Sequence, residues 1–313
     1  MAVRVTTGRT RNGVPRAVGA GVVPVGRSVR NFLRLALATT AGRIGLPIVA
    51  IHLTLALIGP WLAPYSPTEF HYRGVENTLL HQLEAPSLEF WLGTDEFGRD
   101  ILSRLIYGSR TALFVGFTCA FVGAFAGLVL GVASAYFGGR FDLIFQRVMD
   151  VFMAFPLIIL ALAVVSILGT GIQNVIIAIT IPFIPNCARV VRSSALAIRE
   201  IPYVDAARAL GYTHARIILR HMVPNVMAPF LIMITAFVGQ AILLEASLSY
   251  LGLGIQEPTP AWGLMLAGGA EEYAESAPWI AIFPGVAISL AVFGFNLFGD
   301  SLRDALDPKL RQQ

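Results

Sequence analysis

The sequence predicts an all-α membrane protein whose chain crosses the bilayer six times, with both termini on the cytoplasmic side. Three observations carry that expectation. Only 13% of the 313 residues are charged while 56% are hydrophobic, and a soluble domain carries roughly 25% charged residues. Mean hydropathy is +0.70. Six stretches approach the roughly 20 apolar residues with which a helix, rising about 1.5 Å per residue, covers about 30 Å of hydrocarbon.

The elements follow in chain order. Residues 1–43 hold eight arginines and no acid, and their short apolar stretch is broken by Pro24. They are expected to form a cytoplasmic segment, not a cleaved leader. The first span, 44–63, has His52 as its only ionisable residue. An extracytoplasmic loop, 64–110, comes next. The second span, 112–137, has no charge and carries Gly123, Gly127 and Gly131. Small residues four apart let helix backbones approach closely, and packing within the bundle is the favoured reading over a seam between subunits.

The third span, 151–169, and the fourth, 172–188, are separated by Thr170 and Gly171, as in a tight helical hairpin. Pro156, Pro182 and Pro185 should interrupt their helices as bends or hinges. A cytoplasmic loop at 189–225, a fifth span at 226–253, a sixth at 278–299 and a tail at 301–313 complete the chain. With this order, nineteen of the 23 lysines and arginines fall on the side of the termini. The positive-inside rule makes that side cytoplasmic.

The same placement explains the formal net charge of +4. The positive residues mark topology and lipid headgroups, not a nucleic-acid surface. Cys119 and Cys187 lie inside apolar runs and read as packing residues, with no metal-binding spacing. The only lysine, Lys309, is followed by Leu310, so no Walker A loop exists and ATP has to be bound by another chain. Neither a zinc-protease helix nor a serine nucleophile elbow is present, so no cofactor and no enzymatic role is expected here.

The 189–225 loop is too long for a turn and too rich in helix formers for a linker. If it is one helix, Ala207 and Gly211 share a face and leave a smooth patch for another protein. Because glycine costs a helix roughly 1 kcal/mol, a turn between two short helices fits Gly211 equally well. The spacing Asp205-Ala206-Ala207, then Gly211, then His221-Met222-Val223-Pro224 resembles the EAA loop of ABC importer permeases. It departs from that signature by aspartate for glutamate, histidine for isoleucine and valine for leucine. Three more segments resemble the peptide/nickel branch: residues 91–113 ("WLGTDEFGRDILSRLIYGSRTAL"), 245–254 ("EASLSYLGLG") and 298–308 ("FGDSLRDALDP").

The resemblance covers about residues 44–310 and implies a type I importer permease (MetI-like) core at 111–300. It also implies that the EAA loop, here Asp205, Ala206, Ala207, Arg208, Gly211 and Pro224, docks on an ATPase subunit. The partners implied are a second permease subunit, two ATP-binding subunits and an extracytoplasmic binding protein. Di- and oligopeptides come first as cargo, with nickel and glutathione behind. The location implied is the bacterial cytoplasmic (inner) membrane.

Two further groups each have two readings. Asp95, Arg99 and Asp100 belong either to an outer gate or binding-protein docking surface, or to a helix capped by Thr94 or Asp95, with Ser103, Arg104 and Arg110 facing water. Glu245, an acid inside an apolar span, either lines the translocation path or is satisfied structurally. An ion-gradient-driven carrier fits the composition too, but calls for paired intramembrane charges or inverted repeats with broken helices.

Overall fold

The computed structural model describes residue 37 and residues 39–69, 72–73 and 79–306. The arginine-rich segment therefore lies almost wholly outside the described residues, as do Lys309 and Arg311. Five described helices are long and apolar enough to cross a membrane, and a sixth crossing is counted only if a pair of shorter helices bent at 88° forms one span.

Helix α1, Thr40–Leu62, starts where the Thr39 hydroxyl accepts from the Gly42 amide at 3.0 Å. The following loop contains an antiparallel ladder of two residues a side, β1 (Tyr72–Arg73) and β2 (Leu79–Leu80). Helix α2, Ile101–Phe137, begins well before the expected span. Asp100 caps it by accepting from the Ser103 amide (2.8 Å) and hydroxyl (2.7 Å). Its 37 residues reach roughly 55 Å, far more than the hydrocarbon needs.

The third span departs most from the sequence reading. Helix α3, Gly139–Met153, and α4, Leu157–Leu168, meet at a bend of 88°. Pro156 has no amide proton to donate and cannot continue α3, so the ladder stops before it. At 12 residues, α4 spans only about 18 Å and cannot cross the hydrocarbon by itself. Amphipathic α3 is fastened to α5 (Ile172–Arg199) by Asp142–Arg192 and Asp150–Arg189 ion pairs, each with a contact of 2.5 Å.

Helix α5 runs unbroken through Pro182 and Pro185 and on to Arg199, so those prolines do not interrupt it and the expected loop begins with helix. Packing explains this. The glycine stripe of α2 lies directly on α5, where a Cβ at Gly127 would stand 2.5 Å from Cys187 Cβ and 2.9 Å from the Ala188 amide. Gly123 meets Phe183 and Gly131 meets the Ala188 carbonyl in the same way. The stripe thus serves packing within the bundle. Neighbouring helices held this tightly allow prolines inside a membrane helix.

Beyond α5 come α6 (Pro202–Ala209), α7 (His214–Ile217) and α8 (Met227–Tyr250). A π turn at Ile218–Met222 and a 3₁₀ turn at Val223–Val226 join α7 to α8. Pro224 accounts for both: it donates no amide, and its ring crowds the carbonyl four residues back. Helices α9 (Trp262–Glu271) and α10 (Trp279–Leu306) complete the bundle.

Arg199 donates to the Ala135 carbonyl at 2.9 Å, joining the C-terminal ends of α5 and α2. The Gly171 amide donates to the Gly254 carbonyl at 3.1 Å, joining the start of α5 to the chain just past α8. The 202–226 loop and the 94–100 turn therefore lie at opposite ends of the bundle.

Candidate functional site

At one end, α6 is presented by a closed turn. Ile201 leads into Pro202, whose fixed φ suits a first helical position. The helix ends in a Schellman motif: the Gly211 amide donates to the Arg208 carbonyl (2.9 Å) and the Tyr212 amide to the Ala207 carbonyl (3.1 Å). Gly211 has φ +79°, and no atom lies within 4 Å of where its Cβ would be. Its requirement is conformational, so the structure replaces the shared helical face of Ala207 and Gly211 with a turn. Ala207 is buried against its own chain, while Asp205, Ala206 and Arg208 face outward.

The outward residues sit on a firm base. Arg208 reaches Asp205 at 3.0 Å and lies 5.4 Å from the centre of the Tyr136 ring at the end of α2. The Tyr136 hydroxyl and His214 Nδ1 are 2.6 Å apart. His221 packs between the Tyr203 and Tyr212 rings, at 5.8 and 6.2 Å. Both histidines thus belong to the joint, His221 half-buried and His214 exposed. Asn225, next to Pro224, donates to the His221 carbonyl at 2.6 Å and to the Tyr203 hydroxyl at 3.1 Å. Movement of α6 is thereby tied through these contacts to α2 and α8.

At the other end, the 94–100 turn is buried. Asp95 Oδ1 accepts from the Phe97 and Arg99 amides, both at 2.9 Å, and Oδ2 pairs with Arg99 Nε at 2.7 Å. The helix cap is Asp100, not Thr94 or Asp95. Thr94 instead bonds the His81 carbonyl and the Glu84 amide. Ser103 and Arg104 are fully buried, contrary to the water-facing expectation, while Arg110 is exposed.

Glu257, from the loop before α9, enters this cluster. It takes Arg99 at 2.8 and 3.3 Å and Arg104 at 3.0 Å. Burial would lower the Arg99 guanidinium, yet Asp95 and Glu257 hold it above its ordinary value, fully charged. Burial and then Asp95 push the neighbouring Glu96 carboxyl up. Among the described residues, no group of three or more acids, histidines and cysteines is arranged to hold a metal ion.

Glu245 is 1% exposed and accepts the Ser249 hydroxyl at 2.7 Å, and that oxygen accepts the Ile255 amide at 3.1 Å. The chain reverses here in a second Schellman turn at Gly252, φ +73°. A Cβ at Gly254 would fall 2.1 Å from the Ser249 hydroxyl. Glu245 therefore stitches the end of α8 to its own turn and stands apart from the cleft described next.

An open cleft of ≈570 Å³ lies between the α3–α4 bend, α5, α8 and α10. Its polar side chains are Asn186, Gln240 and Asn296. Sequence reasoning assigned a role to none of the three. The available signal was a carboxamide inside each of three apolar runs. It missed the role of Glu257 as well, since nothing local connects that acid with residues 99–104.

Comparisons with known proteins agree with this geometry. Residues 123–312 match the family model described as binding-protein-dependent transport system inner membrane component. A putative peptide transport system permease protein of Brucella abortus is 42% identical over 293 residues, covering 94% of this chain and 95% of that protein. The dipeptide transport system permease protein DppC of Alkalihalophilus pseudofirmus is 42% identical over 268 residues, 86% of each chain. The glutathione transport system permease protein GsiD of Escherichia coli is 41% identical over 283 residues, 90% of this chain and 89% of that one. Among solved structures, an inward-facing MetNI methionine ABC transporter covers 65% of this chain and 96% of its own, with TM-score 0.52 at 21% identity. With the helical bundle and the closed loop between α5 and α8, these matches establish that the chain belongs to the family of inner membrane components of binding-protein-dependent transport systems, as a multi-pass permease subunit.

Proposed function

We propose that this chain is one of two permease subunits of an ATP-driven importer that moves di- and oligopeptides across the cytoplasmic membrane by alternating access. The observation that carries the mechanism is the closed α6 turn. Its outward Asp205, Ala206 and Arg208 are tied by Tyr136, Tyr203 and Asn225 to α2 and α8. An ATPase dimer that closes on ATP moves this turn as a unit, and the helices lining the cleft follow. Both termini and the 202–226 loop lie in the cytoplasm on this reading, with the Arg99–Glu257 end outside facing the binding protein.

The peptide cargo rests on the names of the relatives: peptide, dipeptide and glutathione permeases. Glutathione is itself a small peptide and remains the alternative within the branch, ahead of nickel. A partner permease of different sequence and two separate ATP-binding subunits complete the complex. The test is uptake of a labelled dipeptide, with labelled glutathione and nickel in parallel, in cells with and without the chain. Dipeptide uptake that depends on the chain is the expected result. Uptake of nickel alone sinks the peptide assignment, and uptake that persists without ATP sinks the ATP-driven one.

A further inference from the structure

We infer that Asn186, Gln240 and Asn296 form a carboxamide track that reads the peptide groups of the cargo while it crosses the bilayer, an inference that rests on the importer reading above. Each residue sits near the middle of its helix: Asn186 in α5, Gln240 in α8 and Asn296 in α10. All three line the ≈570 Å³ cleft.

Gln240 and Asn296 are exposed and, among the described residues, their side chains have no hydrogen-bond partner. Asn186 uses only its Nδ2, on the Pro182 carbonyl at 2.9 Å. A carboxamide left bare against hydrocarbon is costly, so these groups need water or a polar passenger in front of them. The lipid-facing surface shows the contrast, with Phe114, Phe121 and Phe125 of α2 exposed there.

The chemistry selects the passenger. A carboxamide offers an N–H donor and a carbonyl acceptor, the same pair a peptide group carries, so the two are mutually complementary. The rest of the lining is apolar or aromatic, including Phe152, Phe155 and Met233. None of the lining residues is charged, so neither peptide terminus nor an ionised side chain finds a fixed counter-charge to hold it. Such a path recognises the backbone, tolerates varied side chains and releases what it binds. A metal cation finds no carboxylate, imidazole or thiolate in the lining.

The test uses the whole importer in cells, with alanyl-alanine and its depsipeptide analogue, in which an ester replaces the peptide bond. The binding protein is the same in every strain, so its own preference cancels in the amide-to-ester uptake ratio. The double variant Gln240→Leu/Asn296→Leu should lower that ratio by roughly fivefold for each hydrogen bond lost. Gln240→Asn should restore part of it. A ratio equal to wild type in the double variant overturns the track while leaving the importer reading intact. Absence of dipeptide uptake in wild type defeats the importer reading and the track together. Co-purification with the partner subunits verifies assembly. As a second measurement, Gln240→Cys and Asn296→Cys should react with a charged methanethiosulfonate in the membrane because they line the open cleft, against a low background from the buried Cys119 and Cys187. Resistance of both to the reagent places these positions against lipid and also overturns the proposal.

Discussion

Arg99 and Glu257, 158 positions apart, meet as a bidentate ion pair at 2.8 and 3.3 Å. The pair joins the turn that starts α2 to the loop between α8 and α9. Arg104 shares the same carboxylate, so the two buried guanidiniums are neutralised chiefly by Asp95 and Glu257, with Glu96 at 3.9 Å from Arg99. Glu257→Gln leaves them under-neutralised. Breaking a fully buried pair costs about 3–5 kcal/mol, but the Glu257 side chain is 40% exposed, so solvent screening reduces this to about 1–3 kcal/mol. The purified complex should unfold at a lower temperature, and Glu257→Asp should recover part of the loss. An unchanged midpoint in Glu257→Gln refutes the clamp.

At Gly211 the ranking of substitutions separates conformation from size. A left-handed φ costs an ordinary residue about 1–2 kcal/mol, and asparagine tolerates it best. Uptake and ATPase stimulation should therefore fall in the order Gly, Asn, Ala. Were small size the requirement, alanine would rank above asparagine.

Ala206 and Ala207 are adjacent but should fail in different ways. Ala207 is buried, so Ala207→Leu overpacks the joint and costs about 1–3 kcal/mol in thermal stability. Ala206 faces outward. Ala206→Leu should leave stability near wild type and weaken co-purification with the ATPase subunits. Equal stability losses in both variants contradict this division.

The α2–α5 contact is tested at Gly127. Its missing Cβ would stand 2.5 Å from Cys187 Cβ and 2.9 Å from a backbone amide that cannot move aside. Gly127→Ala should destabilise by about 1–3 kcal/mol. At Gly116 the nearest atoms are Ile242 Cγ1 at 3.1 Å and the Val238 carbonyl oxygen at 3.4 Å, looser than at Gly127, so Gly116→Ala should cost less. Thermal melts of the two variants in detergent give the comparison.

The spans were legible because twenty apolar residues have few other uses, and five crossings appear close to where hydropathy put them. The loop between α5 and α8 was legible because its spacing is local. The interruption at Pro156 was legible too, but its 88° angle and the continuity through Pro182 and Pro185 were not. The same residue breaks one helix and is tolerated in another, and the difference lies in the helix packed alongside.

By itself, the sequence determined an all-helical membrane chain, the placement of its apolar runs and the motif spacing of a permease. These depend on period, length and short-range chemistry. Only the tertiary structure decided that Gly211 closes a turn, that Arg99 and Arg104 are buried on Glu257, and that three scattered carboxamides face one cleft. Each of those depends on contacts between helices, and which residues meet across a bundle is set by packing that no local pattern encodes.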